Sequence, residues 1–335
     1  MRTCLHKIMW LSLCAIFGCI FIGCSAITDT VNGPVVAPRV RLYIADSGNN
    51  RVVRIDDMEG KGWATLGGVK GEAVGQLDSP QGVYVDPEKR LYIADTGNNR
   101  IVRVEDMSGK EWTNLGRKGD GNAQFTNPTA VCLDRENRIY VADRNNDRVT
   151  RMEDMNATHW VAFGSHGKAA SQFSFPTGVF VDSNEKIYIT DSLNVLPGVL
   201  NNRVVRVDDM DGSNWRVLGN PPGSGTNQFD NPAGIFMDGK GRLYIADTFN
   251  NRIVRMDNIE GKNWTILGGK AGGSTGQFNQ PTGVYVDSSD HIYICDSLNN
   301  RVVRVDDMSG KNWISFGVSG SGEGQFNTPT AIFAR

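Results

Sequence analysis

Short apolar runs separated by turn residues follow one another along the chain from residue 41 onward. In one stretch the runs are GVYVD (82–86), RLYIAD (90–95), RIVRVE (100–105) and EWTNLG (111–116). They are rich in Val, Ile and Tyr, and Pro, Gly, Asn and Ser lie between them, which is typical of strands joined by tight turns. Four such runs predict a four-stranded antiparallel meander. No helical period occurs after residue 30.

This unit is repeated. The segment LYIADTGNNRIVR (91–103) recurs with its Asp at 46, 95, 143, 191, 247 and 296, at spacings of 49, 48, 48, 56 and 49 residues. A fixed period of about 40 to 50 residues is typical of propellers and other repeat arrays. The sequence therefore predicts six blades of four strands each.

The two ends of the repeat region predict how the ring closes. The first copy starts at Arg41 without an opening strand, whereas Pro329–Arg335 (PTAIFAR) matches Pro80–Asp86 (PQGVYVD). A C-terminal strand that completes the N-terminal blade would leave no unpaired edge at the junction. We therefore predict an all-β, six-bladed propeller over residues 41–335.

The first 24 residues have a different pattern. Arg2 and Lys7 precede an apolar run at 8–22, and Gly23-Cys24 ends it, which is the pattern of an export signal. Residues 25–40 are polar, contain Pro, and predict a linker.

Phe21-Ile22-Gly23-Cys24 resembles the lipobox of bacterial lipoproteins, which implies lipidation at Cys24. That family usually has Leu where Phe21 stands, and Ile16-Phe17-Gly18-Cys19 is a second candidate. An uncleaved membrane anchor is the alternative, although a span normally needs ~20 apolar residues. Either route anchors the propeller to a bacterial cell envelope, facing the periplasm or the exterior.

The charge balance bears on the class of partner, and the positions of the cysteines bear on disulfide bonding. Without Arg2 and Lys7, 33 basic residues stand against 37 acidic ones, a balance that argues against nucleic-acid binding. Only Cys132 and Cys295 lie outside the leader, in blades three and six, too far apart across a ring to bridge. We expect two free, buried thiols and a monomeric propeller.

Residues present in every blade are best explained by the blade itself. The Asp of the repeat and the Arg five residues later are expected to be structural, the Asp by capping backbone N–H groups of the turn that follows it. One tryptophan per blade predicts a packing role, with a carbohydrate-binding platform as the alternative. The tryptophans are Trp63, Trp112, Trp160, Trp215, Trp264 and Trp313.

The pattern P-x-G-V-x-V-D followed by L-Y-I-A-D-x-x-N-N-R resembles the NHL repeat over residues 41–335. The resemblance implies a propeller that serves mainly as a binding platform, for protein or RNA in animal tripartite-motif proteins and for extracellular sensing in a bacterial receptor kinase. A few relatives are enzymes: the peptidyl-amidating lyase and, more distantly, gluconolactonase-type and streptogramin-lyase propellers. Fold alone does not choose between these activities.

The enzyme classes can be compared with the residues. A zinc site needs three or four converging ligands, but the histidines outside the leader are His159 and His166 in blade three and His291 in blade six. Asp and Asn are plentiful, yet nearly all recur sixfold, whereas a catalytic metal site is asymmetric. The sequence thus predicts no catalytic residues, metal or cofactor.

Binding residues are expected where the blades differ. The insertion at 194–200 in blade four is rich in apolar residues. At the loop position just before it, the first three blades have Gly48, Gly97 and Asn145, and the last three have Leu193, Phe249 and Leu298. We predict an apolar patch of Leu193, Leu196, Phe249 and Leu298 with a polar rim of Arg144, His166 and Arg117. The alternative is that these side chains fold back onto the blade connections.

The sequence therefore favours a non-enzymatic extracytoplasmic binding or scaffold module that recognises a protein, peptide or glycan on one face. A lyase or lactonase with a metal in the central channel is the alternative.

Overall fold

A computed structural model describes residues 40–192, 201–219 and 221–335, which form strands joined by turns and five short 3₁₀ turns. In this described part no helix is long and apolar enough to cross a membrane. The strands are β1 (Leu42–Asp46), β2 (Arg51–Ile55), β3 (Ala64–Gly67), β4 (Gly82–Val85), β5 (Leu91–Asp95), β6 (Arg100–Val104), β7 (Thr113–Leu115), β8 (Pro128–Leu133), β9 (Ile139–Asp143), β10 (Arg148–Met152), β11 (Val161–Phe163), β12 (Pro176–Val181), β13 (Ile187–Asp191), β14 (Arg203–Val207), β15 (Arg216–Gly219), β16 (Pro232–Met237), β17 (Leu243–Asp247), β18 (Arg252–Met256), β19 (Thr265–Gly268), β20 (Pro281–Val286), β21 (Ile292–Asp296), β22 (Arg301–Val305), β23 (Ile314–Phe316), β24 (Val318–Ser319), β25 (Gln325–Phe326) and β26 (Pro329–Ala334). The 3₁₀ turns are η1 (Ser47–Asn49), η2 (Thr96–Asn98), η3 (Arg144–Asn146), η4 (Thr248–Asn250) and η5 (Ser297–Asn299).

Six four-stranded antiparallel sheets form the blades, as the sequence predicts. Blade one is β26-β1-β2-β3, and blades two to six are β4–β7, β8–β11, β12–β15, β16–β19 and β20–β23. The short β24 and β25 pair in parallel within the connection that leads to the last strand. The fold is thus a six-bladed β-propeller.

The predicted ring closure is confirmed. Strand β26 pairs antiparallel with β1, and Ile332 lies opposite Ile44. Beyond the strand ends, the backbones of Arg41 and Arg335 exchange two hydrogen bonds of 2.6 and 2.8 Å. The C-terminal strand therefore completes the N-terminal blade and pairs the edge of β1 that would otherwise be free.

The second strand of each blade is apolar on both faces because it is covered by both neighbouring blades. In β5, Leu91 and Ile93 pack with residues of blade one, whereas Tyr92 and Ala94 pack with residues of blade three. All five residues of this strand are buried. The continuous LYIAD run is thus explained by burial on two sides.

The repeated Asp is structural, but the predicted capping role is wrong. Oδ1 of Asp95 accepts the backbone N–H of Asp78, in the connection from the preceding blade, at 2.7 Å. Its Oδ2 accepts from Nδ2 of Asn98 (2.8 Å) and Nε of Arg100 (2.7 Å). The carboxylate makes no bond to the N–H groups of its own turn. It fastens the blade to its neighbour instead.

The repeated Arg completes this fastening. The Nη atoms of Arg100 donate to the backbone oxygens of Glu72 and Gln76 at 2.7 and 3.0 Å. The same Asp–Arg pair occurs in all six blades with Nε–Oδ2 distances of 2.6–2.9 Å.

The tryptophans pack at the outer side of the blades. Trp160 lies 5.4 Å from the ring of the buried Phe125, centroid to centroid, and the guanidinium of Arg148 lies over it at 5.8 Å. Each of the six tryptophans has its own blade's repeated Arg over its ring. Because these ring faces already have partners, the packing interpretation accounts for the tryptophans.

Candidate site in the central channel and on the upper face

The upper face of the disc, as we define it, carries turns η1–η5 and the blade-to-blade connections. The two meet directly, since Nδ2 of Asn98 in η2 donates to the backbone oxygen of Gly71 in a connection at 2.7 Å. The first-to-second-strand turns lie at the opposite end, the lower face, where Asp86 pairs with Arg90 at 2.6 Å.

A cavity of about 260 Å³ occupies the upper part of the central channel. It is lined by the innermost strand of every blade, namely β4, β8, β12, β16, β20 and β26, and by Arg144 and Asn231 at its upper end. The strands contribute mainly Gly, Ala, Val, Ile and aromatic side chains. Gly82 allows the close approach of neighbouring inner strands, because a Cβ there would lie 2.8 Å from the backbone oxygen of Thr129.

The lower end of the cavity is formed by what we call the aromatic collar: Tyr84, Phe180, Phe236, Tyr285 and Phe333. Neighbouring centroids are 5.4 Å apart for Phe180–Phe236, 4.3 Å for Phe236–Tyr285, 4.8 Å for Tyr285–Phe333 and 5.0 Å for Phe333–Tyr84. The sixth equivalent position, in blade three, is Cys132. The collar is therefore open on the side of blade three.

Hydroxyl groups stand above the collar, but their donors are already used. Oγ1 of Thr177 donates to the backbone oxygen of Pro232 at 2.9 Å, and that of Thr330 to the oxygen of Gln81 at 3.1 Å. Thr129 and Thr282 likewise donate to the backbone of the next blade. These threonines link neighbouring blades around the channel.

Arg144 differs from the equivalent residue of every other blade, which is Ser or Thr. In blades two, four, five and six the hydroxyl donates to a proline oxygen of the next blade, as from Thr96 to Pro128 at 2.7 Å and from Thr248 to Pro281 at 2.9 Å. The Arg144 guanidinium lies over the ring of Phe175 at 5.3 Å, and its buried Nε has no hydrogen-bond partner among the described residues.

The guanidinium of Arg144 is partly buried and has no carboxylate beside it among the described residues. Burial lowers the pKa of its guanidinium, and no nearby carboxylate acts in the opposite direction. The group stays charged at neutral pH, because arginine does not deprotonate in proteins. Within the described part of the chain it forms no ion pair, unlike the repeated arginines.

The predicted apolar patch is partly visible. Phe249 and Leu298 occupy the same position in η4 and η5 of adjacent blades, and their side chains are exposed on the upper face at 42% and 46%. Their backbone N–H groups donate to Asp230 and Asn279 of the preceding connections, so both turns are held alike. Leu193 and Leu196 lie outside the described residues.

The other predicted rim residues lie in the connections and do not line the cavity. His166 is half-exposed, and its Nδ1 is 2.9 Å from Oδ2 of Asp147. Arg117 is exposed. Of the rim residues, only Arg144 reaches the channel.

The two thiols are free and buried, as expected. Burial raises the pKa of both Cys132 and Cys295, so both are protonated at neutral pH. Cys132 lines the cavity, whereas Cys295 does not. Neither has the electropositive surroundings of a nucleophilic cysteine.

The channel lining does not fit a metal. Its described residues include no carboxylate and no imidazole, and Cys132 is the one side chain of a type that binds zinc. Elsewhere in residues 40–192, 201–219 and 221–335, no three His, Cys, Asp or Glu side chains converge on one point. The repeated Asp residues are occupied by their Arg, Asn and backbone donors.

Sequence reasoning missed the collar and the cavity. The signal was present, because the variable position of P-x-G-V-x-V-D reads Tyr, Cys, Phe, Phe, Tyr and Phe in the six copies. The alternation of a strand gives the face on which a side chain lies, but not that six such positions meet at one axis.

Solved structures with the same fold have low sequence identity to this chain. A nidogen/laminin complex matches with a TM-score of 0.66 and 18% identity, covering 88% of this chain and 98% of that one. Virginiamycin B lyase from Staphylococcus aureus matches with 0.55 and 13%, covering 86% and 84%. A protein of unknown function from Bacteroides caccae matches with 0.61 and 13%, covering 89% and 99%. These similarities show the fold alone.

No curated protein matches the sequence. Two family descriptions do: "SMP-30/Gluconolactonase/LRE-like region" over residues 30–267 and "NHL repeat" over residues 278–305. The first spans well over half of the chain, and the second falls in blade six. The chain therefore belongs to the SMP-30/gluconolactonase/LRE-like family and is an NHL-repeat propeller.

Proposed function

We propose that this propeller is a non-enzymatic binding module whose upper face recognises a protein partner. The observation that carries the proposal is the pair of exposed apolar tips, Phe249 and Leu298, on adjacent blades. Exposed large apolar side chains that lie together on one face are typical of interaction sites.

The surroundings of this pair support recognition. Across the channel, in blade three and the connections on either side of it, Arg144, His166 and Arg117 lie on the same face and would supply a polar rim, an arrangement common at protein interfaces. The backbone of both tips is held by hydrogen bonds to the connections, so little ordering would be needed on binding. The nidogen/laminin complex is a case in which a protein of this fold is found with a protein partner.

The metal-dependent lyase or lactonase is not favoured by the residues. Virginiamycin B lyase shares the fold, and the family description includes gluconolactonase. However, the described channel lining lacks the carboxylate and imidazole side chains that a catalytic metal would need.

The test is capture of partners from an envelope extract by the purified protein and by a Phe249→Ser/Leu298→Ser variant. A matched control is Val217→Ser/Ile266→Ser, because these two residues are similarly exposed, at 40% and 42%, but lie on outer strands of blades four and five. We expect the wild type and the control to capture the same protein, and the tip variant to lose it.

The captured protein is then titrated against all three forms. A loss of affinity of about tenfold or more is expected for the tip variant only, because apolar anchors at the centre of an interface carry much of the binding energy. Equal binding by all three forms would refute the proposal. Binding to a glycan array that depends on the tips would replace the protein partner by a glycan.

We also propose that the protein is exported and anchored to the cell envelope by a lipid on Cys24, which lies outside the described residues. The basis is the resemblance of residues 21–24 to a lipobox. Metabolic labelling with an alkyne fatty acid tests this: Cys24→Ser should abolish labelling and Cys19→Ser should not. Labelling that depends on Cys19, or a retained leader without label, would contradict the assignment.

A further inference from the structure

We propose that the central cavity is a binding site for a small amphiphilic organic anion, with its charged group at Arg144 and its apolar body above the aromatic collar. The site shares Arg144 with the proposed polar rim but not the apolar tips Phe249 and Leu298, and the inference does not depend on the proposed function.

The shape and lining of the cavity call for an apolar body. About 260 Å³ is enclosed by Val, Ile, Gly, Ala and aromatic side chains from all six inner strands. The floor is the aromatic collar, whose rings are close enough to pack against each other and to stack with a flat ligand. Cavities of this kind bind ligands mainly through apolar contact and use a few polar groups to orient them.

The charge of the ligand follows from Arg144. It is the one charged side chain among the described lining residues. It forms no ion pair with them, and its Nε donates no hydrogen bond to them. The threonine hydroxyls nearby already donate to backbone oxygens. At the mouth, the buried Nε of Arg144 is a donor without a partner among the described residues. A guanidinium binds carboxylate or sulfonate oxygens in a two-bonded arrangement.

Two of the departures from sixfold symmetry in the channel lie together in blade three. Arg144 replaces the Ser or Thr that links adjacent blades in four of the other five, and Cys132 replaces the sixth ring of the collar. The first change adds a charge at the mouth, and the second removes bulk below it. Together they give the channel a charged end and added apolar space on the same side. Neither feature is needed to build a blade, because the other five blades form without them.

The test uses two fluorescent probes that differ in charge. One is 8-anilinonaphthalene-1-sulfonate, and the other is N-phenyl-1-naphthylamine, which has the same rings without the sulfonate. We expect one saturable site per chain for each. Arg144→Thr should weaken binding of the sulfonate about tenfold or more and leave the neutral probe nearly unchanged, because only the charged hydrogen bonds are lost. Cys132→Phe should weaken both probes by filling the space.

Both substitutions introduce the residue type that other blades carry, so the fold should be retained. Arg135→Ser is the matched charge control, since Arg135 is exposed in a lower-face turn of the same blade. Phe249→Ser/Leu298→Ser should bind both probes like the wild type, which separates this site from the upper-face patch. The proposal is overturned if neither probe binds at one site per chain, if Arg144→Thr affects both probes equally, or if Arg135→Ser weakens the sulfonate as strongly.

Discussion

The backbone N–H of Asn327 donates a hydrogen bond of 2.7 Å to Oδ1 of Asp46, 281 residues earlier in the chain. Oδ2 of the same carboxylate accepts from Nε of Arg51 at 2.7 Å. In the other blades the equivalent carboxylate joins a blade to the connection just before it in sequence. Here the same contact joins the two ends of the propeller.

Replacing Asp46 by Ala should therefore destabilise the ring closure. The buried guanidinium of Arg51 loses its carboxylate, and such losses cost about 3–5 kcal/mol. Denaturant unfolding measures the effect, with Glu59→Ala as an exposed control expected to change stability by less than about 0.5 kcal/mol. Limited proteolysis should release β26 in Asp46→Ala but not in Asp95→Ala. Equal release from both would show that the closure has no special dependence on Asp46.

A buried phenylalanine, present in five of the six connections, gives a second prediction. Phe125 is fully buried against Trp160, and Phe125→Ala should lower the free energy of unfolding by about 3–5 kcal/mol. Leu77 occupies the equivalent place in the first connection, so Phe125→Leu should cost less than about 1.5 kcal/mol. Thermal melting of both variants checks this, and a leucine variant as unstable as the alanine variant would contradict it.

The fold could be predicted because the residues that define a blade recur in six copies. Asp95 and Arg100 recur in every copy, and the match of 329–335 to 80–86 gives the closure directly. The partner of the Asp could not be found in the same way. Local sequence suggests that Asp95 accepts hydrogen bonds from backbone N–H groups of its own turn. In the structure it instead accepts the backbone N–H of Asp78, which lies 17 residues earlier in the connection from the preceding blade.

Candidate site residues could be proposed from the sequence only where the repeat is broken. Arg144 and Phe249 stand out by comparison of the copies, and the structure places one at the channel and the other on the upper face. The collar was missed because Tyr84 and Phe333 come from opposite ends of the sequence and meet only through ring closure. Contacts of that kind depend on how six inner strands converge, which no single copy encodes.

We expect Arg144 to make the fold less stable than the Thr found at this position in other blades. In Arg144→Thr the new hydroxyl can donate to the backbone oxygen of Pro176, as Thr96 donates to Pro128 at 2.7 Å. A hydrogen bond of this kind contributes about 0.5–1.5 kcal/mol. The substitution also removes a partly buried charge that has no ion pair among the described residues. We expect a higher melting temperature than that of the wild type, with Arg144→Ala below Arg144→Thr because it lacks the donor. A threonine variant that melts below the wild type would show that Arg144 stabilises the fold.

The two cysteines should differ in reactivity although both are buried. Burial raises the pKa of both thiols, so little thiolate exists near neutral pH and both should react far more slowly than an exposed thiol. Cys132 lines the cavity, but Cys295 is fully buried within the blade packing. A small neutral maleimide should therefore modify Cys132 slowly in the native protein and Cys295 only after unfolding. Peptide mapping after timed labelling distinguishes the two sites, and Cys132→Ala controls for the assignment. If Cys295 is labelled as fast as Cys132 under native conditions, the channel does not give selective access to blade three. If the naphthalene sulfonate also slows labelling of Cys132, the probe and the thiol share the same space.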